Sequence, residues 1–264
     1  MTHLPHRLEV YNASIGYGQK AILSNLSFQI PHGARVAVVG PNGAGKSTLF
    51  KALVGLLSLQ SGQILIHGEA LGSHNLCVAY IPQREEVDWK FPVTVHDVVM
   101  MGRYGQGSWL SRPSKQDKQV VKNSLEKMGI ANLAKHSIGQ LSGGQQQRAF
   151  LARAISQEPH ILLMDEPFTG VDVTTQETTL NLLDSLREHE VTIMISTHDL
   201  NLAASRFDFV LLINHRLIAF GTPSQVFKQE NLTQAYGNSL MMMENGTLVV
   251  DDCCPPDEQF TIYD

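Results

Sequence analysis

No apolar run in the 264 residues approaches the roughly 18–20 needed to span a bilayer. The first stretch, Met1 to Arg7, has no apolar signal core, which places the expected location in the cytosol. Cysteines number three, Cys77 and the adjacent pair Cys253-Cys254, too few for a disulfide framework. The eleven histidines are scattered singly apart from His3-x-x-His6, and no His/Cys spacing reads as a metal site. Basic excess is absent as well: a net charge of −5 speaks against a nucleic-acid partner. No internal repeat is visible. What remains is an ordinary globular composition, 43% hydrophobic and 17% charged. Such a length suits one large domain, or a domain with a small subdomain, burying roughly 70–75% of its unfolded surface.

The stretch Gly40-Pro41-Asn42-Gly43-Ala44-Gly45-Lys46-Ser47-Thr48 fits the pattern of a phosphate-cradling loop. In such a loop the backbone N–H groups hold polyphosphate and the lysine reaches the terminal phosphates. Arg35 to Val39 before it is a β-branched run, expected as a buried strand. After it Leu49, Phe50, Leu53 and Leu57 recur at helical spacing, so the loop opens a helix N-terminus, where dipole and free donors favour an anion. The glycines allow the tight turn. This is a nucleotide site.

Residues 8 to 30 read as antiparallel strands, with Leu26, Phe28 and Ile30 alternating and Pro31-His32-Gly33 as a turn. Tyr17, in the loop between two runs, is either a core residue of the hairpin or a flat platform for a purine. Ser61-Gly62 reads as a turn, followed by strands over Gln63 to His67 and Val78 to Ile81. Residues 84 to 140 lack β-branched runs and include a helix over Gln116 to Met128, apolar at Val120, Val121, Leu125 and Met128. They read as an inserted helical subdomain. Strands resume at Ile161 to Met164, Val191 to Ile195 and Val210 to Ile213, with helices between the first two pairs, so the expected class is α/β with a mostly parallel sheet. Asn214-His215 turns into Arg216 to Phe220, and beyond Pro223 the signal fades. The end, Asp251 to Glu258, is acidic and Pro-broken, expected as a mobile tail; its two cysteines supply too few ligands for a metal.

Asp165-Glu166 ends an apolar strand at the edge where open α/β sheets bind ligands. Beside a phosphate loop, Asp165 suits orienting Mg²⁺ and its waters, and Glu166 suits taking a proton from attacking water. Ser47 supplies a hydroxyl oxygen for the same hard cation. Leu141 to Arg148 is a second glycine-bearing turn entering a helix.

That second turn, Ser142-Gly143-Gly144-Gln145, resembles the signature motif of ATP-binding cassette ATPases, and other motifs follow in the family's order over roughly residues 8 to 225. Gln83 resembles the Q-loop glutamine, Ile161 to Glu166 the Walker B strand, Asp172 the D-loop aspartate, His198 the switch histidine and Tyr17 the adenine-stacking aromatic. Thr169-Gly170-Val171-Asp172 departs from the commoner Ser-Ala-Leu-Asp. The resemblance implies a P-loop NTPase (RecA-like) core over 1–83 and 141–225 with an N-terminal antiparallel β subdomain. It implies a helical insert over 84–140 and a C-terminal extension over 226–264. Gly40 to Thr48 matches the family's Walker A loop, and the resemblance also implies a head-to-tail homodimer, each ATP held between one subunit's Walker A and the partner's Ser142 and Gly144. Glu166 would be the base, Lys46 and His198 would contact the γ-phosphate, and Ser47, Gln83 and Asp165 would serve Mg²⁺.

The stretch from Glu85 to Arg103 resembles ATPases of bacterial manganese, zinc and iron importers, the manganese type most of all. This implies integral membrane permease subunits, an extracytoplasmic metal-binding protein and a peripheral place on the cytoplasmic membrane face. Val87, Trp89 and Phe91 alternate, so one side is available either to a permease helix or to the subdomain's own core. The alternative of a non-transport ATPase is disfavoured, since the translation type usually carries two cassettes and the repair type a long coiled-coil insert, and this sequence shows one cassette and no coiled coil. A noncatalytic ATP-binding regulatory module is the other alternative, disfavoured by intact Glu166 and His198.

Overall fold

The computed structural model describes residues 8–71, 77–83, 86–104, 112–185, 190–237, 240–242 and 248–250. Glu85 of the importer-like stretch and the Cys253-Cys254 tail lie outside them. Strands β1 (Leu8–Tyr17) and β2 (Lys20–Ile30) form an antiparallel hairpin, with Leu26, Phe28 and Ile30 turned inward because side chains alternate faces along a strand. Next come β3 (Arg35–Val39) and α1 (Lys46–Leu53), joined by the glycine loop. β4 (Leu59–Ile66) and β5 (Glu69–Ala70) complete a four-stranded antiparallel sheet in the order β2-β1-β4-β5. Leu49, Phe50 and Leu53 of α1 are buried among this sheet's inward residues, each such side chain contributing about 1.5–3 kcal/mol.

Two local expectations fail here. Ser61-Gly62 is no turn; it lies inside β4, where the register with β1 shifts between Tyr11 and Ser14, so a strand irregularity absorbs the pair. Helix α1 also stops before Leu57, because Gly55 takes φ 79° and the chain leaves the helix.

β6 (Val78–Ile81) leads into the insert, which holds α2 (Val95–Met100) and α3 (Lys115–Lys127). Both start on capping boxes, Thr94 with Asp97 and Ser114 with Asp117. They pack on α4 (Gly143–Ser156), which lies beyond the residue-140 boundary drawn from composition. Val98, Val121 and Leu125 thereby join one core with Ala37 and Val39 of the central sheet. Arg103, nearly buried, ties the insert together through Asp117 (3.0 Å), Glu158 (2.8 Å) and the Ser156 carbonyl (2.6 Å). The Val87–Trp89–Phe91 alternation does not make a strand. Val87 and Trp89 pack inward, Trp89 with its ring centroid 5.0 Å from that of Phe150, while Phe91 is 55% exposed.

β7 (Ile161–Asp165), α5 (Val173–Ser185), β8 (Thr192–Ser196), α6 (Leu200–Arg206), β9 (Phe209–Ile213) and β10 (Leu217–Gly221) finish a six-stranded sheet ordered β10-β9-β3-β8-β7-β6. All its pairings are parallel except β9 with β10. The fading signal beyond Pro223 understates the fold. Helices α7 (Pro223–Val226) and α8 (Gln229–Tyr236) bury Val226, Leu232 and Tyr236. At four and eight residues they are shorter than the window of about 11–18 residues over which a helical period can be read.

Candidate nucleotide site

Because β6, β7, β8 and β3 run parallel, their C-terminal ends open on one edge of the sheet. That edge receives Gln83, Asp165 with Glu166, Thr197 with His198, and the loop from Gly40 to Thr48. Four stretches distant in sequence thus meet where ligands bind in such sheets.

The loop is built to be approached. Helices α2, α3 and α4 close their N-termini with serine or threonine side chains, whereas α1 starts at Gly45, which has no side chain to cap it. Its first N–H groups therefore remain available to an anion. Gly45 sits at φ 100°, and a Cβ there would lie 2.7 Å from Leu23 Cδ2, so a larger residue would be strained and would displace the buried Leu23 side chain. Lys46, 6% exposed, donates from Nζ to the carbonyls of Gly40 (2.9 Å) and Pro41 (3.3 Å) and lies 3.6 Å from Glu166 Oε1. Its amine therefore bridges the loop and the acidic strand end. Ser47 beside it is half-buried, and Tyr17 stands at the end of β1, 54% exposed.

Asp165 is buried and both its oxygens accept hydrogen bonds. Ser196 Oγ donates to Oδ1 at 2.5 Å and Tyr80 Oη donates to Oδ2 at 3.3 Å. Burial first, and then the Asp165 charge, pushes the Tyr80 phenol up, so it stays a proton donor. Ser196 Oγ also accepts from the Glu166 N–H at 2.9 Å. Glu166 takes φ 44°, a conformation that costs about 1–3 kcal/mol for a side-chain-bearing residue. The bond to Ser196 holds that turn and aims the carboxylate out of the strand, into a cavity shared with His198, Thr169 and Gln176. Neither Tyr80 nor the Ser196 role was readable in advance. The one available signal was a polar residue inside each apolar strand.

At the signature, Ser142 and Gln145 close a reciprocal capping box on α4: Gln145 Oε1 accepts from the Ser142 N–H at 2.9 Å, and Ser142 Oγ from the Gln145 N–H at 3.4 Å. Asp172 caps α5 in turn, accepting from the Thr175 hydroxyl (2.7 Å) and N–H (2.9 Å), and these bonds hold its carboxyl below the usual range. The two helix starts touch. A Cβ on Gly144 would come within 2.8 Å of the Thr175 methyl, so only glycine lets signature and D-loop approach this closely. Gln147 Nε2 donates to the Pro167 carbonyl at 2.9 Å, tying α4 to the turn after Glu166.

The ABC transporter family model matches residues 23–169. The chain belongs to this ATP-binding cassette family. The manganese transport system ATP-binding protein MntB of Bacillus subtilis is 45% identical over 241 residues, 91% of this chain and 96% of that protein. The zinc transport system ATP-binding protein TroB of Treponema pallidum is 43% identical over 235 residues, 89% of this chain and 88% of that one. Among solved structures, a metal-chelate type ABC transporter in an inward-facing conformation superposes with a TM-score of 0.80 at 28% identity, over 94% of this chain and 98% of that chain. The cassette is thus an ATP-hydrolysing subunit of a transport complex. Among its described residues, no helix is long and apolar enough to cross a membrane.

Proposed function

We propose that this cassette hydrolyses ATP, as half of a head-to-tail homodimer, to drive import of manganese through a separate membrane permease. The observation that carries the chemistry is the convergence of Lys46, Asp165, Glu166 and His198 on one sheet edge beside an uncapped helix start. In the reaction the water oxygen attacks the γ-phosphorus and the bond to the bridging oxygen of ADP breaks. The proton of the water passes to the Glu166 carboxylate, releasing ADP and phosphate. Lys46 leaves the loop carbonyls for the phosphate oxygens, and His198 orients the γ-phosphate and the water. The Ser47 hydroxyl, the Gln83 amide oxygen and the Asp165 carboxylate would supply oxygen ligands, directly or through waters, of the kind that suits Mg²⁺. When bound, that ion would neutralise phosphate charge. A partner's Ser142 and Gly144, at the start of α4, would close the open side of the nucleotide and exclude water. Tyr17 would stack on adenine.

An apolar groove lined by Ile81, Pro82, Val87, Trp89 and Phe150 reaches Glu166, with Gln83 next in the chain after Pro82, and a cytoplasmic helix of the permease would dock there. Gln83 would then relay nucleotide state to that helix. The subunit would sit on the cytoplasmic membrane face and act with an extracytoplasmic metal-binding protein. Manganese rests on the relatives alone, since the cargo would never touch the cassette.

Deleting the gene should lower manganese uptake at limiting external metal. A fall in zinc or iron uptake with manganese unchanged would overturn the choice of ion, and no change in any of the three would overturn metal import. For the dimer, Ser142→Arg and Lys46→Ala subunits, each inactive alone, should recover hydrolysis on mixing. Each mixed pair has one site with both lesions and one with neither. Absence of recovery would overturn the shared site.

A further inference from the structure

We infer that His67, Cys77 and His160 form a binding site for one divalent ion of the zinc class, on the sheet edge opposite the nucleotide. These residues are scattered in sequence, and reading the chain alone gave no reason to join them. In the fold one potential ligand atom from each lies within 4.8 Å of the others. Strand pairing brings them together. Cys77 and His160 immediately precede β6 and β7, which pair in register as Val78 with Ile161. The N–H groups of His160 and Ile161 both donate to the Cys77 carbonyl, at 2.8 and 2.9 Å, so the backbone holds the two side chains next to each other. His67 arrives from the other sheet, in the turn between β4 and β5 at φ 57°. Its ring meets that of His160 edge-on, centroids 4.8 Å apart at 81°, with Nε2 2.7 Å from His160 Nδ1.

The donor set decides the ion. One sulfur and two imidazole nitrogens suit zinc and its softer neighbours, whereas manganese, magnesium and calcium favour oxygen. The proposed ion is therefore neither the hydrolytic Mg²⁺ nor a manganese cargo. Three protein ligands leave a fourth tetrahedral position for water, and His160 is exposed, so that position is reachable. Zinc–nitrogen bonds of about 2.0–2.1 Å in tetrahedral geometry put the two nitrogens about 3.3 Å apart. The rings must part by roughly 0.6 Å, which an exposed imidazole achieves by a small side-chain rotation. Glu69, close enough to act on Cys77, adds negative charge for a cation, and burial with that charge pushes the free thiol up. Ligation therefore releases a thiol proton.

Such an ion would pin the β4–β5 turn to the starts of β6 and β7. Strand β7 ends in Asp165 five residues on, about 16 Å away, so the two metal sites would occupy opposite ends of one strand. Binding would stabilise the folded cassette by an amount that grows with the logarithm of free metal above the dissociation constant, independently of what the transporter carries.

The test uses the full chain without nucleotide, carrying Cys253→Ser and Cys254→Ser so that Cys77 is the remaining thiol of the three. Titration with Co²⁺ should bind one equivalent, with a thiolate-to-cobalt charge-transfer band and tetrahedral ligand-field absorption, both lost on adding Zn²⁺. Cys77→Ser should abolish the charge-transfer band. His67→Ala and His160→Ala should each weaken binding by about tenfold or more, the scale on which even outer partners of a metal site act. Zn²⁺ should raise the melting temperature of the parent, and that of His160→Ala by clearly less at the same free metal. Retained ATP binding in each variant certifies folding, and His160, being exposed, keeps one arm readable if Cys77→Ser destabilises the chain. A missing charge-transfer band, or unchanged affinity in both histidine variants, overturns the site.

Discussion

Ser196→Ala tests how the acidic strand end is held. Ser196 is fully buried, and its hydroxyl serves two groups: it donates to Asp165 Oδ1 at 2.5 Å and accepts from the Glu166 N–H at 2.9 Å. Losing a hydrogen bond to a charged group costs about 1.5–3 kcal/mol, and a buried N–H left without an acceptor costs about 1–3 kcal/mol. The two share one atom, so the sum is an upper bound and about 2–4 kcal/mol is expected. With an m-value of about 3 kcal/mol/M, the urea midpoint should fall by roughly 1 M without a change in slope. Catalysis should suffer separately. Glu166 keeps φ 44° against its own preference, and once its N–H is released the carboxylate can swing away. A displacement on the order of 1 Å costs about 10²-fold, so kcat should drop about 10- to 100-fold. KM for ATP should stay within about threefold, because the phosphate loop is untouched. Steady-state hydrolysis and urea unfolding measured on the same preparation separate the two effects. Wild-type kcat with an unmoved midpoint would refute the idea that Ser196 positions the pair. A rise in KM with kcat intact would show that it acts on nucleotide binding instead.

Glu166→Gln should keep ATP binding and lose about 10²–10⁴-fold in hydrolysis, the usual contribution of a positioned base; with Mg-ATP it should accumulate as a dimer on size-exclusion chromatography, and near wild-type turnover would remove Glu166 from the base role. Gly144→Ala should destabilise by about 1–3 kcal/mol through the 2.8 Å clash with the Thr175 methyl. Thr175→Ser, which deletes that methyl and keeps the hydroxyl on Asp172, should restore most of the loss in a double-mutant unfolding cycle; additive effects would disprove the contact. Asp117 is held at about 2 by the Ser114 hydroxyl, the Ser114 N–H and then Arg103. A depressed carboxyl contributes stability above its unfolded value of 3.8, and that contribution disappears as pH falls towards 2. Asp117→Asn should flatten unfolding midpoints over that acid window and leave a neutral-pH penalty; an unchanged acid slope would refute the linkage.

Local chemistry determined the nucleotide loop, the acidic strand end and the order of motifs. Gly40 to Thr48 is legible because loop, lysine and hydroxyl must follow one another within a single turn. The strands around Val36, Leu162 and Ile193 are legible because buried parallel strands are apolar on both faces. Tertiary structure alone decided what supports those residues. Tyr80 and Ser196 reach Asp165 from neighbouring strands, 85 and 31 residues away, and nothing local marks a polar strand residue as a partner rather than a defect. Trp89 and Phe91, two residues apart, part company because the segment is irregular: one packs on Phe150 and the other faces outward. The Gly144–Thr175 contact depends on how α4 and α5 start against each other, and helix packing is set by whole faces. His67, Cys77 and His160 are the extreme case. Their proximity follows from the pairing of β6 with β7 and from the placement of one sheet against the other, long-range facts that no spacing in the chain encodes.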